Sequence, residues 1–381
     1  MSVDFAAILS RMVEVRASDV HLSPGFPPAI RLRGKITPME NYPELTPQDT
    51  REIIYSILND SQRKQFENNL QLDLAYAIPG VARFRVNAFF QRGSISAAFR
   101  LIPMKIESLE SLGLPQVLEE FCRKPRGFVL VTGPTGSGKS TSLASMVDLI
   151  NREREEHILT IEDPIEFLHK HKKCIVNQRE VGSDATDFSS ALKSALREDP
   201  DVILVGEMRD LETISTALTA AETGHLVFAT LHTQSTAQTV DRIIDVFPPH
   251  QQQQVRMQLS IALQGIVTQQ LLETSDGAGR VCATEVLIPT PAVRNLIREG
   301  KTHQIYSAIQ TSGSVGMQTM DAHLAQLVRV GKITPGVAMQ RASVPEELKR
   351  LLGPMPGASA QQQAQHYQQN QQSGPPVGAG V

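Results

Sequence analysis

The sequence predicts an α/β protein with two domains, a smaller N-terminal α+β domain and a larger domain built on a parallel sheet. Between residues 111 and 349, four short and nearly continuous apolar runs alternate with helix-like stretches. Runs that are apolar on both faces are typical of parallel strands covered by helices. The N-terminal region instead alternates apolar and polar residues, which indicates strands with one buried face. A length of 381 residues accommodates two domains of ordinary size.

Residues 1–102 form the predicted N-terminal domain. Within it, Ala29–Ile36 alternates as one strand, and Pro47–Asn69 has the composition of a polar helix. Ala82–Phe90 and Ser94–Pro103 follow, and in each of them the apolar side chains share one face. These two segments predict an antiparallel meander whose buried face packs on the domain core.

The sequence predicts a linker at residues 103–110 and a C-terminal tail at residues 350–381. Eight of the twelve residues 361–372 are glutamine, and SGPPVGAG follows them. Such a segment cannot bury enough apolar surface to offset its conformational entropy, so we predict that the tail is disordered.

The composition argues against several classes of protein. A formal net charge of −3 gives no electrostatic reason to expect a nucleic-acid partner. Cys122, Cys174 and Cys282 are widely spaced, which suits a reduced compartment and offers no zinc-binding pair. Charged residues interrupt the apolar residues of Met1–Asp19, which therefore predicts an amphipathic helix and not a signal peptide. No apolar run approaches the ~20 residues that span a bilayer, so we expect a cytoplasmic or peripheral protein.

The segment GPTGSGKST matches the phosphate-binding loop pattern in full. It follows an apolar strand, Phe128–Val131, and opens a helix with apolar residues at helical spacing. Glycines let backbone N–H groups turn toward phosphates at the positive end of that helix. We expect Lys139 to reach the β- and γ-phosphates and Ser140 to hold Mg²⁺, so the predicted cofactors are ATP and Mg²⁺. The loop residues are Gly133, Pro134, Thr135, Gly136, Ser137, Gly138, Lys139, Ser140 and Thr141.

Carboxylates follow two of the predicted strands. Glu207 comes just after the apolar run Val202–Val205, and Glu162 and Asp163 end the run that begins at Ile158. A strand that enters the sheet beside the loop strand ends near the phosphates, so Glu207 is expected to orient the attacking water. Phosphoryl transfer also needs a carboxylate on the metal or the water, for which Glu162 and Asp163 are candidates, with Asp163 as a metal ligand.

Two histidines flank the run in ETGHLVFATLHT. Seven residues of strand at ~3.3 Å each place His225 and His232 more than ~20 Å apart, so one metal ion cannot join them. His232 lies at the end that should face the γ-phosphate and is a candidate sensor or relay. His225 follows Gly224, and both a functional role and simple packing stay open for it.

Four elements thus stand in order along the chain: GPTGSGKST, TIEDPIEF, DPDVILVGEMRD and ETGHLVFATLHT. Together they resemble the Walker A loop, Asp box, Walker B motif and His box of the secretion ATPases of type II and type IV pilus systems. The likeness covers about residues 1–349. It implies a PAS-like N-terminal domain, a RecA-like ATPase domain with C-terminal helices at 111–349, and a homohexameric ring. It also makes Glu207 the catalytic residue. In this family, as here, Gly206 and Glu207 follow the Walker B strand, where other proteins have a carboxylate directly at the strand end.

The same resemblance implies that nucleotide lies between the two domains and that arginines of the N-terminal domain complete the site. Arg85 and Arg100 lie opposite the apolar faces of their strands and are the catalytic candidates, with Arg83 and Arg92 as further ones. An arginine that stabilises charge on the transferring phosphoryl group accounts for orders of magnitude in rate. Without the resemblance, these side chains would be interpreted as a solvated surface.

A helix is predicted in Thr290–Lys301, TPAVRNLIREGK, with Thr290 as its cap and Gly300 at its end. It resembles the AIRNLIRE signature of the type IV pilus retraction ATPases, the PilT-like branch of the family, and by resemblance it is needed for retraction. Assembly and type II secretion members usually carry a four-cysteine zinc module after the His box, where this chain has only Cys282. The signature residues here are Val293, where isoleucine is usual, and Arg294, Asn295, Leu296, Ile297, Arg298 and Glu299.

The resemblance therefore implies a motor that hydrolyses ATP to retract pili in twitching motility, peripheral at the inner face of the cytoplasmic membrane. Its expected partners are an inner-membrane platform protein (PilC-like) and a PilU-like paralogue. A pilus-extension or type II secretion ATPase is the alternative. A RecA-like nucleic-acid motor would need a basic channel with interleaved aromatic residues, whereas aromatic residues are 5% and tryptophan is absent. A regulator that binds ATP without hydrolysing it would require an inert Glu207.

Overall fold

The computed structural model describes residues 4–32, 34–78, 81–102 and 105–353, which form two sheets with their own helices. The strands are β1 (Asp19–Leu22), β2 (Ala29–Leu32), β3 (Lys35–Pro38), β4 (Gln71–Ile78), β5 (Ala82–Gln91), β6 (Ser94–Ile102), β7 (Gly127–Thr132), β8 (His157–Glu162), β9 (Ile175–Glu180), β10 (Val202–Val205), β11 (Leu226–Leu231), β12 (Leu263–Glu273) and β13 (Arg280–Leu287). The α-helices are α1 (Phe5–Glu14), α2 (Pro47–Ile57), α3 (Asp60–Asn69), α4 (Val117–Cys122), α5 (Lys139–Glu153), α6 (Phe188–Ala195), α7 (Leu211–Thr223), α8 (Thr236–Asp245), α9 (Pro249–Ala262), α10 (Pro291–Arg298), α11 (Ile305–Thr311), α12 (Met320–Arg329), α13 (Pro335–Arg341) and α14 (Pro345–Leu352).

The N-terminal sheet is antiparallel, in the order β3-β2-β1-β6-β5-β4. As the alternating pattern predicts, Phe84 and Val86 of β5 and Phe99 of β6 are fully buried. They share one core with Ile8 of α1 and Ile53 of α2, so both helices cover the same face of this sheet. Arg85 pairs in register with Arg100 on the neighbouring strand.

Two predictions for this domain are wrong in detail. Ala29–Ile36 is a hairpin and not one strand, because Gly34 adopts a φ of +82° and turns the chain between β2 and β3. Pro47–Asn69 is two helices and not one, because Leu58 is extended between them. The Asn59 side chain then accepts a 2.9 Å hydrogen bond from the Gln62 N–H and caps α3.

The second sheet has the order β13-β12-β7-β11-β10-β8-β9, parallel from β12 to β9 and antiparallel at β13. The four predicted apolar runs form β7, β8, β10 and β11, and those strands are almost entirely buried. The strand that leads to Glu207 was expected directly beside the loop strand, and this is wrong. β11 lies between the loop strand β7 and the Glu207 strand β10. The carboxyl ends of these parallel strands nevertheless share one edge, and the site forms there.

The C-terminal helices pack on the β12–β13 side of this sheet. Leu272 and Ala283 of those strands form a separate core with Leu324 of α12 and Leu348 of α14. Because α14 continues to Leu352, the predicted tail boundary at residue 350 is wrong by part of a helical turn. The tail beyond residue 353 and residues 103–104 of the predicted linker lie outside the described residues. Among the described helices, none combines the length and apolar character that crossing a bilayer requires.

Candidate active site

The phosphate-binding loop connects β7 to α5 through glycines that other residues cannot replace easily. Gly133 has a φ of +139°, and a Cβ there would lie 2.3 Å from the backbone oxygen of Gln269. Gly138 has a φ of +89° and precedes the first turn of α5. The chain therefore passes tightly against β12 and presents the N-terminal end of a 15-residue helix, where backbone N–H groups bind phosphate.

Lys139 lies folded over the loop. Its Nζ atom donates to the backbone oxygens of Gly133 at 2.8 Å and Pro134 at 3.1 Å. Burial lowers the pKa of Lys139, and the negative charges of Glu207 and Glu166 oppose that shift. Weak carbonyl contacts are readily exchanged for phosphate oxygens, which are the stronger, charged acceptors. The geometry therefore suits a lysine that moves onto a phosphate.

Glu207 lies at the sheet edge beside Arg209 and His232. Its Oε1 atom is 2.7 Å from Nε of Arg209 and 3.1 Å from Nε2 of His232. Burial opposes its ionisation, but the Arg209 hydrogen bond and the charges of Arg209, His232 and Lys139 outweigh burial and lower the pKa of Glu207. The carboxylate therefore stays ionised at neutral pH and can accept a proton or hold a water molecule.

Gly206 allows this strand end to approach its neighbours closely. A Cβ at Gly206 would lie 3.1 Å from the backbone oxygen of Ile161 and 3.2 Å from Cα of Glu162. The Thr230 hydroxyl of β11 donates to the Gly206 oxygen at 2.6 Å. The Walker B end is thus fixed between the Asp box and the His box.

A row of threonine hydroxyls connects the His box to the loop strand. Thr233, next to His232, is 2.6 Å from the Thr239 hydroxyl, which donates to Thr132 at 3.4 Å. Thr132 ends β7 just before the loop and also contacts the Thr268 hydroxyl at 2.8 Å. These hydroxyls give the His box and the phosphate loop a shared, mostly buried support.

Glu162 ends β8 in a position that disfavours its charge. Burial raises the pKa of Glu162 to about 7, although hydrogen bonds from Thr160 at 2.7 Å and Gln178 at 3.2 Å act in the opposite direction. Asp163 follows it and is exposed. Over the described ranges, no group of three or more histidine, cysteine, aspartate or glutamate side chains is arranged to hold a metal ion.

The four candidate arginines are in different environments. Arg85 lines a cavity between the two domains together with Asp163 and Glu180. Arg83 is mostly buried and forms a 2.9 Å ion pair with Glu180 of β9, so it is not the solvated strand residue that the pattern alone suggests. Arg100 pairs at 2.9 Å with Asp19 inside its own domain. Arg92 is an exposed turn residue at the other end of the β5–β6 hairpin, away from this cavity.

The two histidines lie at opposite ends of β11. His232 reaches Glu207, whereas the His225 ring is 3.0 Å from the backbone oxygen of Ala220 at the end of α7. That contact anchors the start of β11 to the preceding helix. The structure therefore brings His232 into the site and places His225 about a strand length from it.

The signature helix α10 is capped by Thr290, as predicted, and packs through the fully buried Val293 and Ile297. Arg294 binds the C-terminal end of α9, donating to the backbone oxygens of Ser260, Ile261 and Leu263. The outward side chains form local contacts: Asn295 donates to Glu299 at 2.7 Å, and Arg298 donates to Asn295 at 3.2 Å. The helix thus has an anchoring face and an outward face, with Leu296 half-buried between them.

The site therefore defines a nucleotide-binding protein of the phosphate-loop class with a Walker B glutamate and a His box. The family model for the Type II/IV secretion system protein matches residues 3–334. The chain belongs to that family, and it is an ATPase.

Individual relatives are similar over almost their whole length. The type IV pilus retraction ATPase PilT of Pseudomonas aeruginosa is 56% identical over 344 residues, which are 90% of this chain and 99% of that protein. A twitching motility protein of Neisseria gonorrhoeae is 54% identical over 321 residues, 84% of this chain and 86% of that protein. A crystal structure of the pilus retraction motor PilT with bound ADP superposes with a TM-score of 0.86 at 52% identity, covering 91% of this chain and 99% of that one. These findings confirm the predicted fold class, with a RecA-like ATPase domain after a smaller N-terminal domain.

Sequence reasoning missed three residues of this site. Arg209 lies two positions after Glu207, and a cation so close to a Walker B carboxylate is a signal that the pattern did contain. Thr239 and Glu180 gave no such signal, because a threonine in a helix and a glutamate in the polar strand IVNQRE are ordinary surface residues in sequence. Their burial becomes evident only in the fold.

Proposed function

We propose that this chain is the ATPase motor that retracts type IV pili for twitching motility. The observation that carries the proposal is the 56% identity to a retraction ATPase along 90% of the chain. The cysteine content agrees with it, since Cys122, Cys174 and Cys282 are all buried and far apart in sequence, unlike a zinc module. Retraction means that hydrolysis drives the return of pilin subunits to the membrane.

The side chains at the sheet edge support the following proposal for the hydrolysis step. The loop of residues 133–141 binds the phosphates, with Lys139 on the β- and γ-phosphates. Mg²⁺, when bound, would be held by the Ser140 hydroxyl and phosphate oxygens and would neutralise developing negative charge. A sparse protein ligand set suits this ion, because Mg²⁺ keeps several waters and binds mainly through substrate phosphates. Glu207 orients the attacking water, and Glu162 and Asp163 would hold the surrounding water molecules and, when Mg²⁺ is bound, its coordinated waters.

His232 and the arginines respond to the γ-phosphate in this proposal. Since His232 contacts Glu207, loss of the phosphate changes the charge that both residues experience. Arg85 is the strongest candidate to stabilise the transferring phosphoryl group, because its side chain lines the interdomain cavity with Asp163. Arg100 would have to leave Asp19 before it could reach nucleotide.

Mechanical work requires an assembly. We infer a homohexamer that is peripheral at the inner face of the cytoplasmic membrane, where it would turn or lift a PilC-like platform protein. Closing the domain interface on ATP and reopening it after hydrolysis would move rigid blocks of the ring. A PilU-like paralogue is a further expected partner, and the outward face of α10 would transmit the movement.

Counting surface pili by electron microscopy tests the proposal in cells that lack this gene, beside the parent and complemented strains. Excess pili with lost twitching supports retraction. Bald cells would mean that the motor assembles pili, and a normal count with failed protein export would indicate a secretion ATPase. Binding of the purified protein to DNA with steep salt dependence would favour a nucleic-acid motor instead.

A further inference from the structure

The geometry points to Glu180 as a positioning residue that couples the N-terminal domain to the Asp box. Glu180 ends β9, and its Oε2 atom accepts two hydrogen bonds. One comes from Nη2 of Arg83 in the N-terminal domain at 2.9 Å, and the other from the backbone N–H of Ile165 at 3.0 Å. One carboxylate oxygen therefore connects a different domain to the loop that follows Glu162 and Asp163.

The pair has the burial expected of a structural contact. The exposed fractions of the side chains are 18% for Arg83 and 7% for Glu180. The Nε atom of Arg83 is buried and has no hydrogen-bond partner among the described residues. An ion pair shielded from water in this way is strongly destabilised when one partner is removed, since the other charge stays buried and unpaired. The two domains are therefore linked at this point.

Glu180 is also fixed to the strand that carries Glu162. Glu180 and Glu162 are register partners on β9 and β8, and the Val181 N–H donates to the Glu162 backbone oxygen at 2.9 Å. The Asp184 side chain accepts from the Glu180 N–H at 2.9 Å. A displacement of Arg83 would thus be transmitted to the Asp box through short, rigid contacts and not through a mobile loop.

The consequence is a link between domain orientation and catalysis. While Arg83 pairs with Glu180, the Glu180 carboxylate is held against the Ile165 N–H and fixes the path of the Asp box. When the domains separate, Glu180 loses its contact with Arg83 and is held less firmly. We expect the contact to affect kcat and leave the KM for ATP nearly unchanged, because the phosphate loop is not part of it. The inference rests on the proposed role of Glu162 and Asp163 in hydrolysis.

Two variants of the full-length assembled enzyme test the two contacts of Glu180 separately. Arg83→Gln breaks the contact with the N-terminal domain and leaves the contact with the Ile165 N–H. The charge swap Arg83→Glu with Glu180→Arg restores the interdomain pair, but an arginine at 180 cannot accept from the Ile165 N–H. We expect each variant to lower kcat about tenfold, equivalent to ~1.4 kcal/mol, with KM within about twofold. Arg63→Gln is the matched control, since Arg63 pairs with Glu67 on the surface of the same domain.

Domain spacing is the second readout. Dyes on Lys64→Cys and Ser194→Cys, diluted into unlabelled subunits, report it by energy transfer; both positions are exposed and the native cysteines are buried. Arg83→Gln should change the spacing, the swap should restore it, and Arg83→Lys should rescue both spacing and kcat.

Each contrary outcome overturns the coupling. Wild-type kcat in Arg83→Gln would show that the Arg83–Glu180 contact is irrelevant to catalysis. Wild-type kcat in the charge swap would show that the Glu180–Ile165 contact is irrelevant to catalysis. A Glu162→Gln enzyme with full turnover would instead refute the proposed Asp-box role, while the spacing measurement would still test the Arg83–Glu180 link separately.

Discussion

Nε2 of His232 lies 3.1 Å from Oε1 of Glu207, which joins the ends of two neighbouring strands of the ATPase sheet. The same carboxylate oxygen contacts Arg209 at 2.7 Å, and Glu207 interacts electrostatically with Lys139 of the phosphate loop. The Walker B carboxylate is therefore held in direct contact with the His box and close enough to the phosphate loop to interact with its lysine.

Glu207→Gln should reduce ATP turnover by roughly 10²–10⁴-fold, the usual contribution of a general base. The amide keeps the shape of the side chain but cannot take a proton from water, so nucleotide affinity should change little. Steady-state hydrolysis and binding of a fluorescent ADP analogue measure the two quantities. Glu153→Gln, at the exposed end of α5, is the control, and full turnover in Glu207→Gln would refute the catalytic assignment.

Arg209→Gln should move the acidic limb of the kcat–pH profile toward higher pH. Arg209 lowers the pKa of Glu207, so its removal raises that pKa and leaves the base protonated over a wider acidic range. Turnover near pH 8 should be the least affected. Arg152→Gln removes a surface cation of α5 and should leave the profile in place. An unshifted profile in Arg209→Gln would show that protonation of Glu207 does not cause the acidic limb.

Glu162→Gln should stabilise the protein at pH 8 while it lowers turnover. The pKa of Glu162 is raised from 4.5 to about 7 in the fold, so the folded state keeps a proton that the unfolded chain releases. Wild-type stability therefore falls as the pH rises through this window, and the amide removes that loss. We expect a gain of roughly 1–3 kcal/mol at pH 8 and little or none at pH 5. Thermal unfolding at both pH values tests this, and equal shifts at pH 5 and pH 8 would contradict it.

Arg294→Ala should destabilise the ATPase domain by about 2 kcal/mol, because its guanidinium binds several carbonyl oxygens at the end of α9. Asn295→Ala on the outward face should leave the melting temperature and ATP turnover unchanged. If the outward face transmits movement, Asn295→Ala nevertheless impairs twitching, which a motility assay measures. Normal twitching in a combined Asn295→Ala and Glu299→Ala strain would remove α10 from the transmission path.

Gly133→Ala should abolish nucleotide binding, whereas Gly136→Ala should weaken it less. The first Cβ would lie 2.3 Å from the Gln269 oxygen, while the second meets nothing within 4 Å. Both glycines have a positive φ, so both substitutions carry the same kind of backbone strain. The difference between the two variants therefore measures the effect of the steric clash. Titration with the fluorescent ADP analogue compares them, and equal affinities would show that the loop is free to shift away from β12.

Much of the fold was predictable because the strands that build the site are simple in sequence. The strands β7, β8, β10 and β11 are continuous apolar runs, and each is followed by a motif residue that the sheet edge then brings together. The placement of Glu207 and His232 at this edge was predicted in this way, and the two side chains do meet there. The order of strands was not predictable, since nothing in Val202–Val205 indicates that β11 lies between it and the loop strand.

The strands that were missed carry buried polar residues. In β12 and β13, the side chains of Thr268, Gln269, Thr284 and Glu285 interrupt the apolar pattern and are nonetheless buried. Glu285 accepts hydrogen bonds from the backbone and hydroxyl of Thr236 at 2.7 and 2.8 Å, which compensate for its burial. Such partners are distant in sequence, so periodicity cannot reveal them. The Arg83–Glu180 pair was not predicted for the same reason.

The most direct test of the central claim is the number of surface pili on cells whose sole copy of this gene encodes Glu207→Gln. Electron microscopy should show more pili than on the parent strain, together with lost twitching, because pili would still assemble but could not be withdrawn. Cells without pili would contradict the account and identify the ATPase as a motor of pilus assembly.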